Sequence, residues 1–221
     1  MSPREPEFAA LRARMVERQL RRRGISDERV LAAMAEVPRE LFVPERVRPH
    51  AYDDSALPIG EEQTISQPWV VAAICQALEL DGSELLLEIG TGSGYSAAVL
   101  ARLAAEVISL ERIERLGESA RANLRELGVD NVVVIIADGS QGYPDRAPYD
   151  AIAVHAATPE APHSLISQLG SGGRLVAPIA TGSVDMLTLF RRQNGELRQA
   201  TIGPCRFVPL IGTEGFAESP E

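Results

Sequence analysis

Three glycines at alternate positions, Gly90, Gly92 and Gly94, follow an apolar run over residues 84–89. Glycine allows a chain to turn tightly and lets its backbone approach a ligand closely at the carboxyl end of a strand. The spacing is GxGxG, whereas a loop that cradles a dinucleotide pyrophosphate has the spacing GxGxxG. The loop therefore predicts a nucleotide-type cofactor that presents no phosphate here, although an ordinary glycine-rich turn would have the same composition.

Two acidic residues follow at the ends of the next two predicted strands. Glu111 lies about 20 residues beyond the glycine loop, where a carboxylate can accept both ribose hydroxyls of a nucleoside. Asp138 precedes Gly139 after the third strand, where the carboxylate can accept an adenine amino group and the glycine leaves room for the ring. A surface ion pair of Glu111 with Arg112 or Arg115, and a plain Asp-Gly turn, are the alternatives. Together the three features predict S-adenosylmethionine, which carries no phosphate.

These side chains must be placed by strands that end at one edge of a sheet. Strands that alternate with helices form a parallel sheet covered on both faces. The sequence Gln193-Asn194-Gly195 lies between two further apolar runs and is a hairpin signal. The predicted fold is α/β: a doubly wound, mostly parallel sheet of the Rossmann-like class I methyltransferase type, with a C-terminal antiparallel hairpin and N-terminal helices. Strands are predicted over residues 84–89, 107–110, 132–137, 151–154, 172–178, 186–192 and 197–202, and helices over 95–104, 113–127 and 160–169.

The segment ahead of the glycine loop has a different pattern. Apolar residues at helical spacing predict a first helix that stops at Gly24, and Ser26 is expected to cap a second helix over residues 27–36. Residues 45–65 are expected to be irregular with short extended pieces, and a further helix should begin near Pro68. One domain is predicted over residues 1–221, with a helical and substrate-side segment (1–80), a cofactor-binding core (81–180) and antiparallel strands (181–216).

Composition narrows the classes of function. A net charge of −9 disfavours an extended nucleic-acid footprint, and the longest apolar runs are too short to span a membrane. The two cysteines, Cys75 and Cys205, lie far apart without a His/Cys cluster, which argues against a disulfide framework or any metal site. Residues 1–14 lack the apolar stretch of a secretory signal. We therefore expect a cytoplasmic protein, and a monomer.

Five segments resemble the protein-L-isoaspartate (D-aspartate) O-methyltransferase family, and the resemblance extends over residues 11–216. The segment QTISQP ahead of the glycine loop is the most specific of the five. The segments are VPRELFVP (37–44), QTISQP (63–68), APYDAI (147–152), GGRLV (172–176) and RFVPL (206–210).

The resemblance implies an activity. The family transfers a methyl group from S-adenosylmethionine to the free carboxylate of L-isoaspartyl residues in damaged proteins and peptides, and the ester then cyclises to a succinimide that can reopen as aspartate. It also implies that Ser66 is the catalytic hydroxyl that touches the substrate carboxylate, and that Val208 gives backbone hydrogen bonds to an extended peptide. The implied cofactor-binding residues are Gln63, Thr64, Ile65, Glu88, Gly90, Thr91, Gly92, Ser93, Gly94, Glu111, Arg112, Asp138 and Gly139.

This chemistry needs no catalytic triad. A carboxylate with a pKa near ~4 is already ionised at neutral pH, so no general base is required. Catalysis then consists of aligning the oxygen, the methyl group and the sulfur, and of excluding water. A hydroxyl at Ser66 can orient the carboxylate, although Ser66 could instead be only the N-cap of the helix near Pro68.

Three places depart from the family pattern, and one of them is Ser140-Gln141, which stands after Asp138-Gly139 where the family has an apolar pair and could alter the edge of the adenine pocket. Glu61-Glu62 replaces a His-Gly or similar pair, and two carboxylates there would repel an anionic substrate unless they point to solvent. His155 stands where the family has a small or hydroxylic residue. It is either a buried structural histidine or, as a hypothesis, a substrate-binding imidazolium that attracts the carboxylate.

Three rival functions remain open at this point. A methyltransferase of the same fold could act on another carboxylate or a modified peptide, which the departures at Glu61, Glu62 and His155 favour. A binding module without turnover is disfavoured by the intact glycine loop and Ser66. A nicotinamide dehydrogenase is disfavoured by the GxGxG spacing and the terminal hairpin.

Overall fold

The computed structural model describes residues 5–218 of the chain. Its N-terminal segment places two helices, a short hairpin and a third helix ahead of the main sheet. The hairpin lies within the region expected to contain short extended pieces, and the third helix begins at Pro68 as predicted. The elements are α1 (Glu5–Met15), α2 (Glu28–Glu36), β1 (Leu57–Gly60), β2 (Gln63–Ile65) and α3 (Pro68–Leu78).

The helical turns that follow α1 end at a glycine, as predicted, but the cap of α2 differs from the prediction. Gly24 has a φ of 93° and terminates the helical turns that continue α1. The prediction that Ser26 caps α2 is wrong. The carboxylate of Asp27 accepts the backbone N–H groups of Arg29 and Val30 at 2.9 and 3.3 Å. Asp27 is the cap because these two N–H groups lie two and three residues after it, within reach of its side chain.

Removing this cap should destabilise the protein measurably. We expect Asp27→Ala to lower the free energy of unfolding by about 1 kcal/mol, because two N–H groups lose their acceptor. Chemical denaturation of the variant beside Asp130→Ala, which changes an exposed aspartate outside any helix, measures the difference. Equal stability of the two variants would contradict the role of Asp27.

Seven strands form the main sheet: β3 (Leu85–Ile89), β4 (Glu106–Glu111), β5 (Val132–Ile136), β6 (Tyr149–Val154), β7 (Leu169–Ala180), β8 (Asp185–Gln193) and β9 (Glu196–Cys205). Their order in the sheet is β5-β4-β3-β6-β7-β8-β9. The five strands from β5 to β7 run parallel, whereas β8 and β9 each run antiparallel to their neighbours. Asn194 and Gly195 both have positive φ, 53° and 81°, as a two-residue hairpin turn requires. The predicted fold class is therefore confirmed.

The crossover helices are α4 (Tyr95–Leu100), α5 (Glu114–Glu126) and α6 (His163–Ser167). Two of them are shorter than predicted. Helix α6 begins only after Pro162, since proline disfavours the helical conformation of the residue before it, and it ends where β7 begins. Helix α4 ends at Leu100, and residues 101–104 form a tighter turn before β4.

The central strands of the sheet are buried on both faces, whereas β9 at one edge is mostly exposed. Leu86 packs into a cluster formed with α1–α4, whereas its neighbour Leu87 packs into a second cluster that contains Leu165 of α6 and Phe190 of β8. The chain leaves β3 towards β4 and later returns on the other side of β3 to form β6. The carboxyl ends of β3 and β6 therefore border a crevice, which is where open α/β sheets bind ligands.

No helix within residues 5–218 is both long and apolar enough to cross a bilayer. In the same residues, no group of three histidine, cysteine or acidic side chains is arranged to hold a metal ion.

Candidate active site

The glycine loop lies at the end of β3 and is held against β4. Gly90, Gly92 and Gly94 have φ values of 89°, 56° and 92°, which residues with a side chain rarely adopt. The N–H groups of Gly90 and Thr91 donate to the carbonyl of Leu110 at 2.9 and 3.2 Å. The loop therefore presents bare backbone at the predicted crevice.

Glu111 closes one side of this loop. One carboxylate oxygen accepts the N–H of Gly92 at 2.8 Å, and the other accepts the N–H of Ile113 at 2.9 Å. The residue is 7% exposed, and Arg112 and Arg115 pair with Glu218 and Glu61 instead. The alternative in which Glu111 forms a surface ion pair with Arg112 or Arg115 is therefore wrong. Because a carboxylate can accept about four hydrogen bonds, each oxygen retains capacity for a ligand hydroxyl.

Asp138 and Gly139 follow β5, but they are placed differently from one another. The Asp138 carboxylate accepts hydrogen bonds from the N–H and hydroxyl of Ser140 and from the N–H of Thr213. Burial would raise the pKa of Asp138, but these hydrogen bonds outweigh it and hold the pKa below its usual range. A Cβ on Gly139 would lie 2.6 Å from Ile89 Cγ2. Gly139 therefore borders the crevice by its backbone, and the contact of Asp138 with adenine stays a prediction.

The crevice at the ends of β3 and β6, here called the main crevice, gathers most of the predicted cofactor residues. It is open to solvent on one side and is bounded by strand ends, the glycine loop and the C-terminal segment. Sequence reasoning did not identify its apolar walls, because these residues look like ordinary core positions. The predicted residues that line it are Gln63, Thr64, Gly90, Gly92, Glu111, Arg112, Gly139, His155 and Val208, and the others are Ile89, Leu110, Ile113, Ala156, Pro209, Leu210 and Ile211.

A smaller space, here called the inner cavity, adjoins the main crevice. Ser66, Ile65, Thr91 and Ser93 line it, whereas Glu88, Gly94 and Asp138 line neither space. Ser66 also borders a third space, the outer groove, whose walls include Trp69, Arg206 and Phe207. The main crevice and the inner cavity share four residues, here called the junction: Thr64, Gly90, Gly92 and His155.

The β1–β2 hairpin covers the glycine loop. Ile59 Cδ1 lies 3.2 Å from the position of a Cβ on Gly92. The departing residues Glu61 and Glu62 form the hairpin turn with φ values of 49° and 57°, and both are exposed. Glu61 pairs with Arg115 at 3.0 Å, which links the turn to α5. Because both carboxylates are exposed at the turn, repulsion of an anionic substrate is weakened by solvent.

Ser66 is held by a buried arginine that the sequence analysis did not single out. Arg39 is completely buried, and it donates to the carbonyls of Ala51 at 2.7 Å and of Ser66 at 2.8 Å. Its guanidinium carbon lies 4.8 Å from the centroid of the Tyr95 ring, and burial lowers its pKa. Gln67 directly precedes α3 and no side chain caps that helix, so the alternative of Ser66 as a helix cap is wrong. The Ser66 hydroxyl makes no hydrogen bond within residues 5–218, which leaves it available to a ligand.

Glu88 and His155 meet beneath the junction. Glu88 is fully buried, one oxygen accepts the Ser109 hydroxyl, and the other lies 3.5 Å from His155 Nε2. Burial raises the pKa of Glu88 to about 7 and lowers the pKa of His155 to about 4. Burial therefore favours the neutral imidazole at neutral pH, and an imidazolium that attracts the substrate stays a prediction. Any other contact of His155 with substrate stays a prediction.

Val208 lies where the C-terminal segment crosses the end of β6. Its carbonyl accepts the N–H of Ala157 at 2.8 Å, and Leu210 donates to the carbonyl of Ala157 at 2.7 Å. The Val208 N–H makes no hydrogen bond within the described part of the chain. One of the two backbone groups predicted to bind an extended peptide is thus already engaged, and the other is free.

The main crevice fits S-adenosylmethionine better than a phosphate-bearing cofactor. Bare glycine backbone, one carboxylate with spare acceptor capacity and apolar walls suit an uncharged nucleoside with an amino-acid tail. Arg112, the one arginine among the lining residues, pairs with Glu218 at 2.9 Å. A pyrophosphate would meet no unpaired cation among the crevice residues described.

Comparison with known proteins agrees with this geometry. The family model for protein-L-isoaspartate(D-aspartate) O-methyltransferase matches residues 11–215. A protein-L-isoaspartate O-methyltransferase of Methanoculleus marisnigri is 53% identical over 93% of this chain and 93% of its own length. One from Rhodopseudomonas palustris (strain HaA2) is 54% identical over 97% of this chain and 89% of its own.

Solved structures give the same result. A protein-L-isoaspartate O-methyltransferase has a TM-score of 0.82 and 32% identity, and the match covers 92% of this chain and 67% of the other. A Plasmodium falciparum protein assigned to the same family, solved with S-adenosyl-L-homocysteine, has a TM-score of 0.79 and 26% identity over 90% of this chain and 98% of its own. The chain belongs to the protein-L-isoaspartate (D-aspartate) O-methyltransferase family.

Proposed function

We propose that this protein is a cytoplasmic, monomeric enzyme that methylates the free carboxylate of L-isoaspartyl residues in damaged proteins and peptides, with S-adenosylmethionine as donor. The ester then cyclises to a succinimide, which can reopen as aspartate. The observation that carries the proposal is the junction, where the main crevice meets a cavity lined by Ser66. A methyl group can cross there from one space to the other. A net charge of −9 supports protein rather than nucleic-acid partners.

The residues of the chain bind and align the reactants, and no proton needs to be removed. Bound S-adenosylmethionine supplies a sulfonium methyl group, which is an electrophile without further activation. Glu111 accepts the ribose hydroxyls, and the glycine loop and Gly139 give the nucleoside close backbone contact. The Ser66 hydroxyl donates a hydrogen bond to the substrate carboxylate, and the Val208 N–H donates one to the peptide backbone. The β1–β2 hairpin excludes water from the junction, which favours reaction between the opposite charges.

Glu111 should determine the affinity for the donor. We expect Glu111→Ala to raise the dissociation constant of S-adenosylmethionine by about 10–100-fold, the equivalent of one charge-assisted hydrogen bond of roughly 1.5–3 kcal/mol. Calorimetric titration of the variant beside Glu126→Ala, an exposed residue at the end of α5, measures the change. An unchanged dissociation constant in Glu111→Ala would contradict the ribose contact.

The proposed activity is tested by transfer of a radiolabelled methyl group to an isoaspartyl peptide, with the matching aspartyl peptide as control. We expect labelling of the isoaspartyl peptide alone, released by mild base because the product is an ester. Donor binding without transfer to either peptide would favour a methyltransferase with another substrate. Absence of donor binding would overturn the proposal entirely.

A further inference from the structure

Glu88 and His155 form a buried polar pair that the proposed mechanism does not use. Glu88 Oε1 and both ring nitrogens of His155 are inaccessible and have no hydrogen-bond partner in the described structure. The side chains are 0% and 5% exposed. Unpartnered buried polar groups are costly, so such a pair requires an explanation.

The pair lies directly below the place where the methyl group must cross. His155 is one of the four junction residues, and its N–H donates to the carbonyl of Ile89 at 2.8 Å, which ties β6 to β3 beside Gly90. Glu88 is one residue further down β3, behind His155. His155 therefore lies between the junction and the Glu88 carboxyl group, which lines neither space.

The groups around the pair allow it to gain or lose a proton. Ser109 of β4 donates to Glu88, Ser96 of α4 favours its charged form, and Glu111 at the end of β4 repels its negative charge. Burial and the charge of Glu88 both raise the pKa of the Cys75 thiol on α3, so this thiol stays protonated. No arginine pairs with Glu88 among the described residues. Neutral imidazole can accept a hydrogen bond from a protonated carboxyl group or donate one to a carboxylate, according to its tautomer.

We infer that Glu88 and His155 form a proton-exchanging pair that distinguishes the cationic donor from the neutral product. The pair releases its proton when a sulfonium cation lies at the junction, because the cation stabilises the Glu88 carboxylate. It takes a proton up again when the thioether product replaces the donor. This inference rests on the proposed use of S-adenosylmethionine, and it adds that selection of donor over product is linked to pH.

The sign of the linkage follows from the electrostatics. The pKa of Glu88, raised to about 7 by burial, falls when a cation is bound nearby and stays raised beside the neutral product. Donor binding therefore strengthens as the pH rises through about 7 and levels off above it, whereas product binding changes little. Donor and product carry the same amino and carboxyl groups, so protons exchanged by these groups do not contribute to the difference between the two ligands.

The test counts protons by calorimetry of the wild-type protein, in two buffers that differ in ionisation enthalpy. The ligands are S-adenosylmethionine, S-adenosylhomocysteine and an amine analogue that carries a positive charge in place of the sulfonium. Near pH 7 we expect both cations to release about 0.3–0.5 proton more than the neutral product. Between about pH 6 and pH 8 the donor-to-product affinity ratio should rise up to about tenfold for each unit by which the two pKa values differ.

Variants then assign the proton. Glu88→Gln should abolish the difference between the ligands, and Glu126→Gln, an exposed change on α5, should preserve it. If Glu88→Gln does not fold, the wild-type proton counts decide by themselves. Equal proton release with all three ligands would overturn the inference while leaving the proposed function intact. Failure of all three to bind would instead overturn the proposed function.

Discussion

Arg39→Met is expected to lower the free energy of unfolding by about 2–4 kcal/mol. The buried carbonyl of Ala51 and the partly buried carbonyl of Ser66 lose their donor, at about 1–3 kcal/mol for each unsatisfied buried group. Removal of a buried charge offsets part of this cost, since burial already lowers the pKa of Arg39. Methionine fills much of the volume, so the effect reports the hydrogen bonds more than a cavity.

The same substitution should slow catalysis in protein that is still folded. The Arg39–Ser66 hydrogen bond of 2.8 Å fixes the turn that carries the proposed catalytic hydroxyl. A displacement of about 1 Å at a reacting centre can cost roughly 100-fold in kcat. Urea denaturation and methyl-transfer kinetics below the unfolding transition measure the two effects separately.

A series of variants makes the interpretation specific. Arg39→Lys keeps a charge but cannot reach both carbonyls with one planar group, so we expect intermediate loss of stability. Arg125→Met removes an exposed arginine from α5 and should leave stability within about 0.5 kcal/mol of the wild type. An Arg39→Met protein as stable and active as Arg125→Met would contradict the role given to Arg39.

The sequence predicts this fold well where local patterns decide the structure. Strands β3 to β6 are short, largely aliphatic or β-branched runs separated by helical segments, and the Asn194-Gly195 turn has the conformation that this pair favours. Element ends are less well predicted because competing local features decide them. Asp27 rather than Ser26 caps α2, and Pro162 delays the start of α6.

The candidate site shows the same division. Glu111 was predictable because the distance between successive strand ends in a parallel sheet is regular, and it does lie against the glycine loop. The contacts of Arg39 with Ser66, and of Glu88 with His155, join residues 27 and 67 positions apart in the chain. No local pattern encodes such contacts, because they depend on which strands become neighbours and on how the segment before the sheet folds over it.

Ser66→Ala is expected to lower kcat for methyl transfer by about 100-fold while leaving the dissociation constant of the donor unchanged. The hydroxyl has no partner within residues 5–218, and Ser66 lines the inner cavity and the outer groove but not the main crevice. Loss of the hydroxyl should therefore disturb the substrate carboxylate and spare the nucleoside. The size follows from the cost of losing one group that orients a reacting atom.

Substitutions that preserve or relocate the change separate orientation from packing. Ser66→Thr retains a hydroxyl and should recover a substantial part of kcat, whereas Ser171→Ala, an exposed change on β7, should match the wild type. Because α3 has no side-chain cap, stability should be nearly equal in all three proteins, so that kcat reports the hydroxyl alone. Methyl transfer by Ser66→Ala at the wild-type rate would mean that another donor at the junction orients the carboxylate. Thr64 would then be the residue to substitute next, since it lines both the main crevice and the inner cavity.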